Sequence, residues 1–241
     1  MSIFGEESNI TFPEPEIPDC EPWNTLETLK REREVVGVYI SGHPLDDYTH
    51  ELRFFCNARL KHFGQLESLI GKELTFAGLI TSAEHKLSKN NQGYCVFTVE
   101  DYEDSYEFRI FRDDYLKNKH MLSPNTFVYI QANVTKGWSR NTEDIAELKI
   151  NIKQISPLQE VLDKKAQELY IKVDVNDFNQ EKTERLIEII TRFRGDKKVV
   201  LELFDASESW AVDAFSRKHK VSADYEMLDA LSKESVEFIL N

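Results

Sequence analysis

The sequence is poor in the residues that build cross-links and metal cages. It holds 3 cysteines in 241 residues, Cys20, Cys56 and Cys95, odd in number and far apart. That argues against a disulfide framework and against zinc, and leads us to expect a reducing, cytoplasmic location. Glycine is scarce at 9 residues, and neither a phosphate-cradling glycine loop, a dinucleotide fingerprint nor a Gly-x-Ser-x-Gly elbow can be found. No apolar run approaches the roughly 18 residues of a membrane helix. Residues 1–15 lack the basic-then-apolar order of a signal peptide. An excess of positive charge is missing too, since the net charge is −13.

The distribution of that charge says more than its total. Residues 1–70 carry 6 basic and 13 acidic side chains, residues 71–156 carry 11 and 12, and residues 157–241 carry 13 and 18. The middle is the only nearly neutral part. A protein that grips DNA alone should show a basic stripe, so this chain would need help from a longer chain or a partner.

Residues 1–22 are rich in Pro and Glu (Pro13, Pro15, Pro18, Pro22) and read as an extended linker behind a small apolar patch, Ile3–Phe4. Residues 23–71 read as helical. A helix capped by Asn24 or Thr25 runs through Leu26, Leu29, Arg33 and Val36 at spacings of three and four. Gly42 is suited to close a helix in the left-handed conformation, and Pro44 to open the next. Asp46 and Asp47 then sit where negative charge favours a helix start. His43 at this corner is best taken as structural.

From Lys72 the apolar period changes to two. Lys72–Leu87 reads as a long strand interrupted by a bend or bulge at Gly78. Tyr94–Glu100, Tyr106–Phe111, Phe127–Val134 and Glu147–Ile155 follow, with a short helix at Arg112–His120. Five strands with a helix between the third and fourth are the pattern of an OB-fold β-barrel, assigned to residues 72–156. Residues 157–241 read as a small α/β domain in β-α-β-β-α-β order, the split, ferredoxin-like pattern. Within it, Gly195 is expected to close the helix Gln180–Phe193. The whole is α+β.

No catalytic constellation stands out. The six histidines show no metal spacing with cysteine or acidic residues. Glu100–Asp104 could hold Mg²⁺ in principle, but on a tight hairpin such residues are usually solvated turn. We expect no metal and no cofactor. The nucleic-acid signal is stronger. Lys86 and Lys89 fall on the loop joining strands one and two. Lys136, Trp138 and Arg140 fall on the loop joining strands four and five. These are the loops an OB fold presents to oligonucleotides, where lysine neutralises phosphate and an aromatic ring stacks on a base. Arg109 alternates with Phe108 and Ile110, so it points away from their apolar face.

Glu32-Arg33-Glu34-Val35-Val36-Gly37-Val38-Tyr39-Ile40-Ser41-Gly42-His43-Pro44-Leu45-Asp46-Asp47-Tyr48 closely resembles the E-x-E-x-L-G-x-Y-x-S-G-H-P-L-x-x-Y segment of the bacterial replicative DNA polymerase III alpha subunit. Gly42, His43, Pro44 and Leu45 are its marker. Ala77-Gly78-Leu79-Ile80 is similar to the A-G-x-I strand that opens the barrel in that family. Ser88–Asp101 is similar to its T-K-x-G-x-x-M-x-F-x-x-L-E-D stretch, with a longer Asn-rich turn and Cys95 for Met. Met1-Ser2-Ile3-Phe4-Gly5 looks like the end of a Gln-x-x-Leu-Phe sliding-clamp motif, Ile3 and Phe4 being its apolar plug.

The resemblance implies a non-catalytic C-terminal piece, with the polymerase carboxylates lying upstream. It implies an OB domain that binds single-stranded template weakly and a last domain that docks the tau subunit of the clamp loader. A contact with the sliding clamp would run through Ile3 and Phe4. The alternative is an interaction adaptor whose barrel binds no DNA. A third reading, a small hydrolase using His43 with Asp46 or Asp47, predicts turnover by this chain alone.

Overall fold

A computed structural model describes residues 20–136, 148–176, 179–205, 207–208 and 210–241. Ile3 and Phe4, with nearly all of the linker 1–22, lie outside the described residues, as do Trp138 and Arg140. The chain divides into two compact units, Met1–His43 and Pro44–Asn241, so the division falls inside the stretch 23–71.

In the first unit, α1 (Thr25–Val36) starts at Asn24, whose side chain accepts from the Glu27 N–H at 2.8 Å, the N-cap bond that satisfies a free helix donor. Gly37, not Gly42, closes this helix, at φ 88° with its N–H bonded to the Arg33 carbonyl. It is the first residue past the apolar period that has no Cβ to resist that conformation. The segment between Gly37 and His43 is therefore a folded loop rather than a helix end. One turn back along α1, the Glu32 carboxylate accepts from the N–H groups of Ile40 (2.8 Å) and Ser41 (3.0 Å) and from the Ser41 hydroxyl. These bonds, the Ser41 hydroxyl first, hold the Glu32 carboxyl below its ordinary pKa. Arg33 donates to the Tyr39 hydroxyl at 2.9 Å and lies over its ring, and the His43 ring meets the same Tyr39 edge-on at 5.2 Å. His43 thus packs within a local knot.

The second unit opens with Pro44 and Leu45 in a turn, a 3-10 turn at Asp46–Tyr48 and α2 (Thr49–Phe55). Asp46 accepts from the Tyr102 hydroxyl at 2.8 Å. Leu45 is fully buried with Leu52, Ala77, Tyr129, Leu158 and Val161.

The barrel is built around β1 (Glu73–Leu87). Its first half pairs antiparallel with β4 (Thr126–Lys136) and its second half with β2 (Gly93–Glu100). β2 continues to β3 (Ser105–Phe111), and β4 to β5 (Leu148–Pro157), giving the order β3-β2-β1-β4-β5. The changeover comes at a bulge between Ile80 and Ser82, two residues beyond Gly78. Gly78 has a different role: a Cβ there would come within 2.5 Å of the Glu100 carbonyl oxygen and of Val99. Between β3 and β4 lies α3 (Arg112–Asn118). The interior is aromatic, with Phe76 against Phe63 (4.9 Å) and Phe108 (5.4 Å), and Phe108 against Phe97 (5.6 Å).

After α4 (Val161–Lys165) come β6 (Glu168–Asp174), α5 (Gln180–Arg192), β7 (Arg194–Asp205), β8 (Trp210–Val221), α6 (Tyr225–Lys233) and β9 (Glu237–Leu240). The element order matches the sequence pattern, but the ferredoxin-like arrangement does not. β6 and β7 pair directly in parallel and the sheet order is β8-β7-β6-β9, so no strand splits the βαβ unit. The hairpin strand β8 goes to the edge instead of between the parallel pair. Gly195 also moves: α5 ends on Phe193, and Gly195 lies in β7, where a Cβ would meet the Val221–Ser222 backbone at 2.5 Å.

Helix α2 joins the two sheets of this unit. Leu52 packs with Ala77 and Tyr129 of the barrel, while Phe54 lies 5.7 Å and His50 5.8 Å from the Phe238 ring of β9. Glu51, on the same helix, is only 5% exposed, and its Oε2 has no hydrogen-bond partner among the described residues. Burial raises the pKa of this carboxyl, so the folded chain holds its proton more tightly than the unfolded chain does. Glu51 therefore costs least below the unfolded carboxyl pKa of about 4.3, and its cost grows as pH rises through the higher folded value. Glu51→Met should stabilise the chain by about 1–2 kcal/mol at pH 8, with the gain shrinking as pH falls toward 4. Thermal denaturation at both pH values checks this, and equal melting temperatures at pH 8 would refute it.

Candidate nucleic-acid interface

The outer face of β1, β2 and β3 follows from their register. Lys86 stands beside Tyr94 and Tyr94 beside Phe111, forming one row across the three strands. Glu84, Val96 and Arg109 form the next, and Ser82, Thr98 and Glu107 the third. The opposite parity fills the core: Phe97, Phe108 and Ile110 are buried, and Cys95, the residue in place of Met, is wholly enclosed. The alternation of apolar and polar residues along each strand is what turns Arg109 outward.

Tyr94 and Phe111 stack at 5.4 Å with 22° between their planes, and Phe111 is 51% exposed. Tyr94 itself is half-buried, so it is the Phe111 ring that offers a platform on which a base can stack. It borders an open cleft of about 1140 Å³ between β3 and β5. Its lining mixes the cations Arg109, Arg112, Lys117 and Lys149 with the carboxylates Glu107, Asp113 and Asp114 and the amides Asn90, Gln92 and Asn151. Arg112 turns the chain into α3 at φ 51°, a left-handed conformation unusual for a side chain of this size.

The loop beside the platform is anchored from below. His85 reaches the Tyr115 hydroxyl with Nδ1 (3.2 Å) and the Leu122 carbonyl with Nε2 (2.9 Å). Gly93 lets β2 pass close over α3, since a Cβ there would lie 2.6 Å from the Tyr115 ring.

Of the residues singled out in the sequence, Lys86 and Arg109 lie on this face, Lys89 is exposed in the adjoining loop, and Lys136 is exposed at the end of β4. Two of these cations have acidic neighbours on their own strands: Lys86 pairs with Glu84 at 2.5 Å and Arg109 with Glu107 at 2.9 Å. The Glu84 pairing raises the Lys86 pKa. Exposed pairs of this kind are weak, about 0–1 kcal/mol, so a phosphate can displace the carboxylate. The sequence reading did not single out Tyr94, Phe111, Arg112, Lys117 or Lys149. The two rings were visible in principle, because Phe111 shares the outward parity of Arg109.

In the acidic hairpin, Asp101 and Glu103 are engaged by other groups of the protein. Asp101 is 3% exposed, and its Oδ2 accepts from the Leu60 N–H (2.8 Å) while Oδ1 accepts from Glu103 (2.8 Å) and Asp104 (2.9 Å). Glu103 pairs with Lys61 at 2.7 Å. Among the described residues no group of three or more His, Cys, Asp or Glu side chains could hold a metal ion. None of their helices is long and apolar enough to cross a membrane.

Comparison with known proteins matches the barrel and the C-terminal sheet separately. Residues 74–158 match a family described as OB-fold nucleic acid binding domain, and residues 169–241 match the DNA polymerase III alpha subunit, C-terminal domain. A DNA polymerase III subunit alpha of Aquifex aeolicus is 27% identical over 241 residues, covering 99% of this chain and 19% of the relative. One from Escherichia coli O157:H7 is 25% identical over 214 residues, covering 88% of this chain and 18% of the relative. The chain thus spans about a fifth of the length of the curated relatives it matches. Among solved structures, a mitochondrial single-stranded DNA binding protein of S. cerevisiae is 17% identical at a TM-score of 0.27, covering 36% of this chain and 95% of its own. The five-stranded sheet wound around β1, the match of the terminal domain and the relatives along nearly the whole sequence all make the chain similar to the C-terminal region of DNA polymerase III alpha subunits.

Proposed function

We propose that this region serves a replicative DNA polymerase without carrying its active site. The OB domain holds single-stranded template weakly, and the domain at 157–241 docks the tau subunit of the clamp loader. The observation that carries the DNA reading is the stack of half-buried Tyr94 on exposed Phe111, bordered by Lys86, Arg109 and Lys149. The rings take bases and the cations take phosphates. Binding is weak because the middle of the chain has no net positive charge. Ile3 and Phe4 would supply the sliding-clamp contact.

Fluorescence anisotropy with a labelled oligonucleotide tests this. Binding should fall steeply with salt, with a log–log slope of about −2 to −3 for about three or four neutralised phosphates. Tyr94→Ala with Phe111→Ala should weaken it about tenfold or more, because stacking contributes about 1–3 kcal/mol per base. Tight binding that ignores salt would contradict this mechanism.

The adaptor reading draws on one observation, that Lys86 and Arg109 already have carboxylate partners. It predicts unchanged primer extension when Lys86, Lys89, Lys136 and Arg140 become Glu in the complete subunit. The template reading predicts a loss.

A further inference from the structure

The C-terminal sheet buries one face under its helices: Leu169, Ile171, Val173 and Val199 share a core with Leu186 of α5 and with Met227, Leu228 and Leu231 of α6. Successive side chains of a strand point to opposite faces, so Tyr170, Lys172, Val200 and Glu202 belong to the other face. Register extends this face into two rows. Phe215, Val200, Tyr170 and Ile239 align across all four strands, and so do Asp213, Glu202, Lys172 and Glu237. The first row is an apolar ridge whose ends are open, Phe215 being 66% and Ile239 40% exposed.

The second row is out of balance. Lys172 turns its ammonium to Glu237, 3.1 Å away. That leaves Glu202 and Asp213 directly opposite each other on β7 and β8, and among the described residues neither has an ion pair. Like charges facing across a ladder destabilise a sheet. β8, 12 residues long, is also the sheet's edge, with β7 on one side only, the kind of edge that invites another chain.

We propose that this face takes the partner of the C-terminal domain, and that the partner presents an apolar segment bearing lysine or arginine. Aliphatic side chains cover the Phe215–Ile239 ridge, and the cation settles between Glu202 and Asp213. A second copy of this chain is a poor occupant, because it would bring the same acidic row and a net charge of −13. The proposal rests on the docking reading above.

The test uses the whole chain against purified tau subunit on a biosensor. Glu202→Lys with Asp213→Lys should weaken binding at least tenfold, and so should Phe215→Ser, while raised salt weakens the unmodified chain. Glu202→Gln with Asp213→Asn should raise the melting temperature yet weaken tau binding, a combination that a folding defect cannot produce. If the unmodified chain binds tau and these variants bind equally well, this face is wrong and the docking reading stands. If the unmodified chain does not bind tau, the docking reading falls and takes this proposal with it. Sedimentation showing dimers that Phe215→Ser dissociates would give the face to a second copy and overturn the proposal.

Discussion

Phe76→Ala should cost about 3–5 kcal/mol of stability, the range for emptying an aromatic from a packed core. Phe76 is 1% exposed and sits where the barrel's rings converge, edge-on to Phe63 at 4.9 Å and stacked on Phe108 at 5.4 Å. Its strand, β1, is shared by both halves of the barrel, and Phe76 pairs with Ile130 of β4. A void there removes contacts from the segment before the barrel, from β3 and from β4 at once, so the site has little freedom to collapse. Such a loss is at least about a fifth of the roughly 5–15 kcal/mol that holds an ordinary domain folded. Urea unfolding followed by circular dichroism reads it as a lowered midpoint. An unfolding free energy within about 1 kcal/mol of the parent's would show that the rings do not form one packed core.

The second large effect is electrostatic in origin but structural in consequence. Asp101→Ala should cost about 2–4 kcal/mol, because one carboxylate receives three backbone N–H groups and hydrogen bonds to a charged acceptor contribute about 1.5–3 kcal/mol each before compensation. Alanine leaves the N–H groups of Leu60, Glu103 and Asp104 without that acceptor. Water can reach the hairpin more readily than it can reach Leu60, which is 1% exposed. The loss should therefore fall on the link between the hairpin and the segment before β1. Asp101→Asn keeps an acceptor oxygen for the hairpin but presents an amide to the remaining donor, so it should recover part of the loss. Unfolding of both variants by urea checks the order Asp, Asn, Ala. An alanine variant as stable as the parent would show that the carboxylate does not hold the turn.

Much of this architecture was legible along the chain. The change from a helical period to alternation near Lys72 marked the barrel, and Arg109 between Phe108 and Ile110 showed which way β3 faces. The places that misled are those where a local signal has two uses. Gly42 and Gly37 can both end a helix, and the choice was made by the Glu32 carboxylate, which holds Ile40 and Ser41 in a loop that needs the helix to stop earlier. Gly78 and Gly195 looked like a bend and a cap, yet each is required by a backbone from a distant element passing within 2.5 Å of where its Cβ would be.

The sequence by itself determined the order of elements, the parity of each strand and the family marker at Glu32–Tyr48, because these depend on neighbours a few residues apart. Only the tertiary structure decided which strands lie side by side. Alternation in β6, β7 and β8 is compatible with either a split or a direct βαβ unit, and the direct pairing is what sets Glu202 against Asp213. Pairing across β2 and β3 likewise makes Tyr94 and Phe111, 17 positions apart, into one stacked surface. Periodicity reports which face a residue occupies, whereas register, set by packing across the whole sheet, reports what it meets there.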